Sequence, residues 1–270
     1  MQKGRLRGLV PVILATYIFV LYGPVLLLPL FSFNDNIYMT FPIKDLTLKW
    51  YAQMIEEMTM MASLWASLKI AIGVAVASTV FGFMSAKAMV TYNIVGKGYV
   101  FAFIMVPLVV PTIILGASLL SFFRQFLDVN LTLWTVALAH MLISIPFSFL
   151  VMMARLEGFD RSLEEASADL GMSAWQTFRR VTLPLAMPGV LASLLLCFMV
   201  SFDEFMLAFF LSGNQATLPV YMYGLLRFPD FLPAILALGS CILVVSVVLI
   251  SIAEWLRRGQ DKTYALKDTK

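Results

Sequence analysis

Only a few side chains in this 270-residue sequence have the types and spacing that chemistry needs. Acids gather at Glu157, Asp160, Glu164, Glu165 and Asp169, and a second pair, Asp203 and Glu204, interrupts an apolar run. Carboxylates placed in lipid cost roughly 2.5–3.5 kcal/mol each, so such a pair faces a cavity or a partner, and its chemistry is the attraction of a cation. His140 is the only histidine, which excludes two-histidine zinc motifs and weakens any histidine-based triad. Cys197 and Cys241 both sit in apolar runs and read as small core residues rather than a disulfide. No G-x-x-x-x-G-K-S/T phosphate loop is present: Gly96-Lys97-Gly98 lacks the upstream glycine and the Ser/Thr magnesium ligand. The chain therefore cannot bind ATP in that manner. A G-x-S-x-G nucleophile motif is also missing, which argues against an intramembrane enzyme.

The elements that must position these groups are membrane spans. The sequence is 61% hydrophobic and 13% charged, against about 25% charged for an ordinary soluble domain. Its mean hydropathy is +0.89. A bilayer core needs about 20 apolar residues per helix, and the apolar runs predict an all-α membrane protein with six transmembrane helices in a single domain, residues 1–270. The spans fall at about 9–33, 62–89, 99–123, 131–153, 185–211 and 231–255, with a polar segment at 160–184 and a tail at 256–270. The first run is too long for a signal-peptide core and has no cleavage site after it, so it reads as an uncleaved span. Pro107 and Pro111 predict a bent third span. Leu48, Tyr51, Ala52 and Ile55 predict a short amphipathic helix on the membrane surface. Lys69 and Lys87, near the two ends of the second span, have stems long enough to reach the interfaces.

Orientation follows from the basic residues. One set of loops and ends holds Lys3, Arg5, Arg7, Lys87, Lys97, Arg155, Arg161, Arg179, Arg180, Arg257, Arg258, Lys262, Lys267 and Lys270; the other holds only Lys44, Lys49, Lys69, Arg124 and Arg227. The first set is expected in the cytoplasm, with both termini and the segment 160–184. That segment reads as two short helices joined at Gly171. Ser162 and Ser173 are the expected N-caps, and Glu164, Glu165 and Asp169 lie near the positive end of the first dipole. Trp175, Phe178 and Val181 share a face of the second. An ordinary loop lying on lipid headgroups would account for the same residues.

A pattern narrows the choice. Glu165-Ala166-Ser167, three residues, Gly171, nine residues, then Val181-x-Leu183-Pro184 resembles the EAA motif of bacterial ABC importer permeases, with Ser167 and Val181 replacing alanine and isoleucine. SFND (32–35), KWYAQMI (49–55), RLEGFDRSLEEAS (155–167), LPLAMPGV (183–190) and SFDEF (201–205) are similar to the second permease of spermidine/putrescine-type transporters. The resemblance implies the type I importer fold, location in the bacterial inner membrane, and a coupling role for Glu164, Glu165, Ala166, Ser167, Asp169, Gly171, Leu183 and Pro184. It implies four partners besides lipid: two ATP-binding subunits that hold ATP and Mg, a second homologous permease, and a periplasmic or surface solute-binding protein. It implies no cofactor or metal in this chain and no nucleic acid.

The solute path is expected at Asp203 and Glu204, with Tyr221, Tyr223 and Trp134 as aromatic candidates that an interfacial belt would equally explain. Asp203 lies 18 residues beyond Leu185, about 27 Å along a helix and so near the outer face. Adjacent helical residues diverge, so one carboxylate of the pair is expected to face the path. A structural role is the alternative: pairing with Arg227 or Lys69, or capping a helix break. A polyamine is the expected solute. Another small solute of the same importer group, or an ion-driven secondary transporter with midplane ionisable groups, are the alternatives. His140 reads as a satisfied bundle residue.

Overall fold

A computed structural model describes the backbone of residues 2–43, 45–160 and 162–265 and, within these, the side chains of 11–43, 45–160, 162–248 and 251. Lys44, Arg161 and the last five residues of the expected tail lie outside the described residues, as do the side chains of Lys3, Arg5, Arg7, Arg257, Arg258 and Lys262. The elements are α1 Gln2–Ser32, α2 Lys49–Glu56, α3 Met58–Thr91, α4 Lys97–Val109, α5 Thr112–Ser121, α6 Leu133–Glu157, α7 Ser162–Asp169, α8 Ala174–Thr177, α9 Leu183–Asp203, α10 Met206–Leu211, α11 Leu218–Leu225 and α12 Leu232–Ala265. One antiparallel bridge, Asn34 to Leu46, is the extended pairing among the described residues.

Five helical runs there are long and apolar enough to cross a membrane: 11–32, 58–91, 133–157, 174–203 and 229–248. A sixth arises when α4 and α5 are taken together, but these meet at 96°. The expected bend in that region is thus a break. Val110 precedes Pro111 and is extended (φ −78°, ψ 126°), and neither Pro107 nor Pro111 has an N–H to continue the helix. The expected run 185–211 is also divided: its helix is already under way at Ala174 and stops at Asp203, with α10 separate.

The chain forms two compact units, 1–61 with 222–270, and 62–221. In the first, α12 packs against α1 and α2. The expected short helix is α2, and its covered side is the one opposite Leu48 and Ile55. Trp50 and Met54 are buried while Leu48 and Ile55 are open, because the Trp50 indole N–H reaches back to the Asn34 carbonyl at 2.7 Å. Lys49 pairs with Asp35, and the Tyr51 hydroxyl meets Ser32 at 2.7 Å.

The second unit has two apolar clusters strung along α3. Ile70 and Val74 pack with Phe123, Val136, Ala139, Ile143 and the α10 residues Leu207, Ala208 and Leu211. Four turns further on, Phe83, Ala86 and Met89 pack with Phe149, Met152, Leu156 and Ala186. Between them α3 and α6 come so close that a Cβ on Gly82 would sit 2.2 Å from the Ser148 hydroxyl oxygen and 2.8 Å from the Phe149 backbone nitrogen.

α6 and α9 run past each other along a polar seam that sequence reading did not single out. His140, Ser144 and Ser148 recur every four residues on α6, and Ser201, Cys197 and Ser193 answer them on α9. His140 Nδ1 meets the Ser201 hydroxyl at 2.9 Å, Cys197 Sγ donates to the Ser144 carbonyl at 3.4 Å, and the Ser193 hydroxyl donates to Ser148 at 2.7 Å. Thr79 joins Ser193 from α3 at 3.0 Å. Small side chains let helices approach, and their hydroxyls then bond across the gap; each such bond in a membrane bundle contributes about 0.6 kcal/mol. The four-residue spacing of Ser, Cys and His was the available signal. His140 is only half satisfied, since its Nε2 has no partner among the described residues.

Candidate functional site

α6 ends at Glu157, and the chain turns through Phe159 and Asp160 into α7. The cap differs from the expected one. Ser162 is itself helical, and the Asp160 carboxylate accepts its N–H at 3.0 Å. Hydrogen bonds from the Ser162 hydroxyl and N–H hold the Asp160 carboxyl below the ordinary carboxylate range, so a negative charge stays at the positive end of the dipole. Gly171 closes the helix in the left-handed conformation, φ +80°. The Met172 N–H bonds the Ser167 carbonyl at 3.2 Å and the Gly171 N–H bonds the Ala168 carbonyl at 2.8 Å, the two closures of a Schellman motif. Ser173 then caps α8 with Gln176 in a reciprocal box: Ser173 N–H to Gln176 Oε1 at 2.9 Å, Gln176 N–H to Ser173 Oγ at 3.4 Å. The result is an elbow of two short helices.

The inner side of the elbow is fastened. Ser167 is buried and shares a hydrogen bond with Thr177 at 2.8 Å, a bond that alanine at this position could not make. Glu164 takes the Lys87 ammonium from the end of α3 at 2.5 and 2.7 Å and the Thr182 hydroxyl at 2.5 Å. Lys87 therefore points to a carboxylate, not only to an interface, because α7 brings Glu164 within its reach. Phe178 stacks on Trp175 and meets Phe83 edge-on. The outer side is bare. Leu163, Ala166 and Leu170 form an exposed apolar stripe beside exposed Glu165 and Asp169, with Leu170 81% exposed and Trp175 67%.

The second arm of the elbow does not end where the sequence suggests. Instead of stopping before Pro184, α8 passes through a π turn, Phe178–Thr182, directly into α9. Pro184 has no N–H for the Arg180 carbonyl, and the wider turn absorbs this by pairing the Leu183 N–H with Phe178. Arg155 braces the join, donating Nε and Nη2 to the Leu185 carbonyl at 3.2 and 2.7 Å. Ala174 and Asp203 are thus the two ends of one 30-residue helical run.

At its far end lie the carboxylates. Glu204 leaves the helix (ψ 111°), and its Oε1 accepts the Leu207 N–H at 3.2 Å, capping the first turn of α10. The two ion pairs described, Lys49–Asp35 and Lys87–Glu164, involve neither residue. Asp203 and Glu204 both line a cavity of about 360 Å³, whose other walls are Pro107, Leu108, Val110 and Thr112 at the α4–α5 break with Ile143, Phe147 and Val200. The expectation that one of the two faces the path rested on helical divergence, which does not apply here because the helix stops between them. Tyr221 and Tyr223 lie on α11. Trp134 is exposed in the first turn of α6.

Residues 78–262, which include both the elbow and the carboxylates, match the family described as binding-protein-dependent transport system inner membrane component. The chain belongs to this family, the permeases of ABC importers. The permease is 31% identical to the spermidine/putrescine transport system permease protein PotC of Escherichia coli (strain K12) over 90% of this chain and 91% of that one. It is 33% identical to the putrescine transport system permease protein PotI of the same organism over 92% and 90%. Among solved structures, a bacterial ABC transporter involved in the import of the acidic polysaccharide alginate aligns with a TM-score of 0.71 and 17% identity, covering 94% of this chain and 98% of that one. That likeness speaks for the fold alone. The permease is a multi-pass inner-membrane protein, and its EAA-like segment is the elbow. Of the residues singled out there, Glu165, Ala166, Asp169, Gly171 and Pro184 are exposed, while Glu164, Ser167 and Leu183 face inward. Lys87, Thr177, Thr182 and Arg155 complete the elbow; none was expected to couple, although Arg155 opens the stretch RLEGFDRSLEEAS.

Proposed function

We propose that this permease forms half of the path of an ATP-driven polyamine importer, with the bare side of its elbow docked on a separate ATPase subunit. A second permease completes the path, two ATPase subunits supply the energy, and a binding protein delivers the solute on the outer side. The distribution of basic residues supports a cytoplasmic position for both termini and the elbow. Exposed Leu163, Ala166 and Leu170, flanked by Glu165 and Asp169, suit a groove with an apolar floor and basic rim. ATP binding would close the ATPase pair, swing the elbow and tilt the spans.

The observation that carries this reading is the continuous run from Ala174 to Asp203. It joins the docking elbow to the carboxylates through about 45 Å of helix without a hinge loop. The cavity at its end favours a cationic, partly apolar solute: Asp203 and Glu204 attract ammonium groups, and Leu108, Val110, Ile143 and Val200 suit methylenes. An anionic solute would meet two carboxylates. PotC and PotI are named for spermidine and putrescine, which are cations of this kind.

The test is uptake into proteoliposomes holding the full complex, with spermidine, putrescine and unrelated solutes supplied with ATP. ATP-dependent uptake of the polyamines is expected; uptake confined to other solutes would overturn the substrate. Asp203→Asn and Glu204→Gln remove charge but keep an acceptor for the Leu207 N–H in the second case. Each is expected to weaken polyamine affinity roughly tenfold, about 1.4 kcal/mol, with the ATPase still attached. Unchanged uptake in both would leave these carboxylates a structural role only.

A further inference from the structure

Two helices, not one, connect the elbow with the carboxylate cavity. The first is the run 174–203. The second is α3, which touches the elbow at Lys87 and whose Ile70 and Val74 share an apolar cluster with Leu207, Ala208 and Leu211 of α10. α10 is the helix that Glu204 caps. One rod therefore ends on the Asp203 side of the break and the other on the α10 side. If only the first moved with the elbow, the break would distort. If both moved, the two sides of the break would travel together.

Where the second rod meets α7, the described contact is polar. Below the Lys87–Glu164 pair lies a cavity of about 190 Å³ lined by Lys87, Val90, Thr91, Leu156, Phe159, Glu164 and Glu165, so apolar packing does not fill the space between α7 and the end of α3. The pair itself is sheltered, with side chains 28% and 23% exposed, and Thr182, in the π turn of the first rod, donates to the same carboxylate. Glu164 thus ties α7, the α3 rod and the α9 rod at a single point. Edge-on contact of Phe83 with Phe178 is the apolar complement one turn away.

We propose that Lys87 is a positioning residue for transport: through Glu164 it couples the docked elbow to α3, so that ATPase closure reaches both sides of the carboxylate break. The role rests on the elbow being the docking site, yet it is distinct from docking, since Lys87 and Glu164 are sheltered while Glu165 is exposed. A salt bridge held at short distance with a third hydrogen bond transmits displacement in both directions, whereas a neutral side chain at position 87 would remove this link between α7 and α3.

The experiment uses the reconstituted full complex with its binding protein. Three quantities are read: retention of the ATPase on affinity purification, stimulation of ATP hydrolysis by loaded binding protein, and spermidine accumulated per ATP hydrolysed. Lys87→Met is expected to keep its ATPase but lose stimulation and uptake per ATP by about fivefold or more, the low end of coupling between two sites. Lys87→Arg, which keeps a donor for Glu164, is expected to retain most of both. Lys87→Glu and Glu164→Lys alone should behave like Lys87→Met, and the double exchange should recover at least half of the loss. Three results would overturn the proposal: wild-type coupling in Lys87→Met, no recovery in a double exchange that assembles, or release of the ATPase from Lys87→Met. Failure of the docking reading shows separately, as a Glu165→Lys complex that keeps both its ATPase and its uptake. Since Lys87→Arg and the double exchange retain the charges, they answer the question even where Lys87→Met assembles poorly.

Discussion

A Gly171→Pro complex is expected to lose its ATPase subunits and its ATP-driven uptake together. Residue 171 sits at φ +80°, where an L-residue carries about 1–2 kcal/mol of strain. Proline is worse on two further counts. Its ring holds φ near −65°, and it has no N–H for the Ala168 carbonyl, which Gly171 now satisfies at 2.8 Å. The Schellman closure cannot form, so Met172 also loses its place under Ser167, and Ser173 is no longer presented as the cap of α8. The inner fastenings at Glu164 and Thr177 would keep the two arms near each other but at the wrong angle. Docking depends on that angle, because the exposed stripe of Leu163, Ala166 and Leu170 lies on one arm and Trp175 on the other. A graded series sharpens the test: glycine, asparagine, alanine, proline should rank in that order for ATPase retained on purification, since asparagine tolerates the left-handed region better than alanine. Equal retention across the series would show that the elbow angle does not matter for docking.

Gly82→Val is expected to prevent recovery of folded permease altogether, and Gly82→Ala to lower its thermal unfolding midpoint in detergent. A Cβ at this position meets the Ser148 Oγ at 2.2 Å, its Cβ at 2.5 Å and the Phe149 nitrogen at 2.8 Å. The last is backbone and cannot rotate away. Relief needs α3 and α6 to move apart, which would stretch the 3.0 Å bond between Thr79 and Ser193 and open the packing of Phe149, a fully buried side chain. Overpacking of this kind costs about 1–3 kcal/mol for the smallest insertion, and valine adds two further methyl groups at the same point. Ser148→Gly in the Gly82→Ala background removes two of the three clashes and is expected to recover part of the lost midpoint. No recovery would mean that the backbone contact with Phe149 dominates; an unperturbed Gly82→Ala would mean that the two helices can separate freely. The consequence for function is that α3 is held to the seam at mid-length, which a rod transmitting movement from Lys87 requires.

Not every reading of the elbow and the carboxylates from sequence survived in detail. The elbow was legible as two helices around Gly171 because capping and left-handed turns depend on residues a few positions apart. Even so, Asp160 rather than Ser162 supplies the first cap, and the second arm runs into α9 because a π turn accommodates Pro184. Asp203 and Glu204 were legible as misplaced charge. That both line one cavity was not, because it depends on the helix stopping at Asp203 and on the α4–α5 break arriving from nearly 100 residues earlier in the chain. That Trp50 and Met54 face inward on α2 was not legible either, because it depends on the indole hydrogen bond to Asn34, 16 residues earlier.

By itself the sequence determined that this is a helical membrane protein with an EAA-like segment, no phosphate loop and a carboxylate pair late in the chain. These properties are local: transfer free energy adds residue by residue, caps and turns act over three to six positions, and a motif is a fixed spacing. Only the tertiary structure decided which groups meet. Lys87 and Glu164 are 77 residues apart, Ser148 and Ser193 45, and Thr79 and Ser193 114. A lysine that could have reached lipid headgroups finds a carboxylate instead, and serines that could have been filler become a seam. Which of two satisfactory partners a polar group takes is settled by how closely the helices pack, and close packing is a property of the assembled bundle rather than of any one stretch of chain.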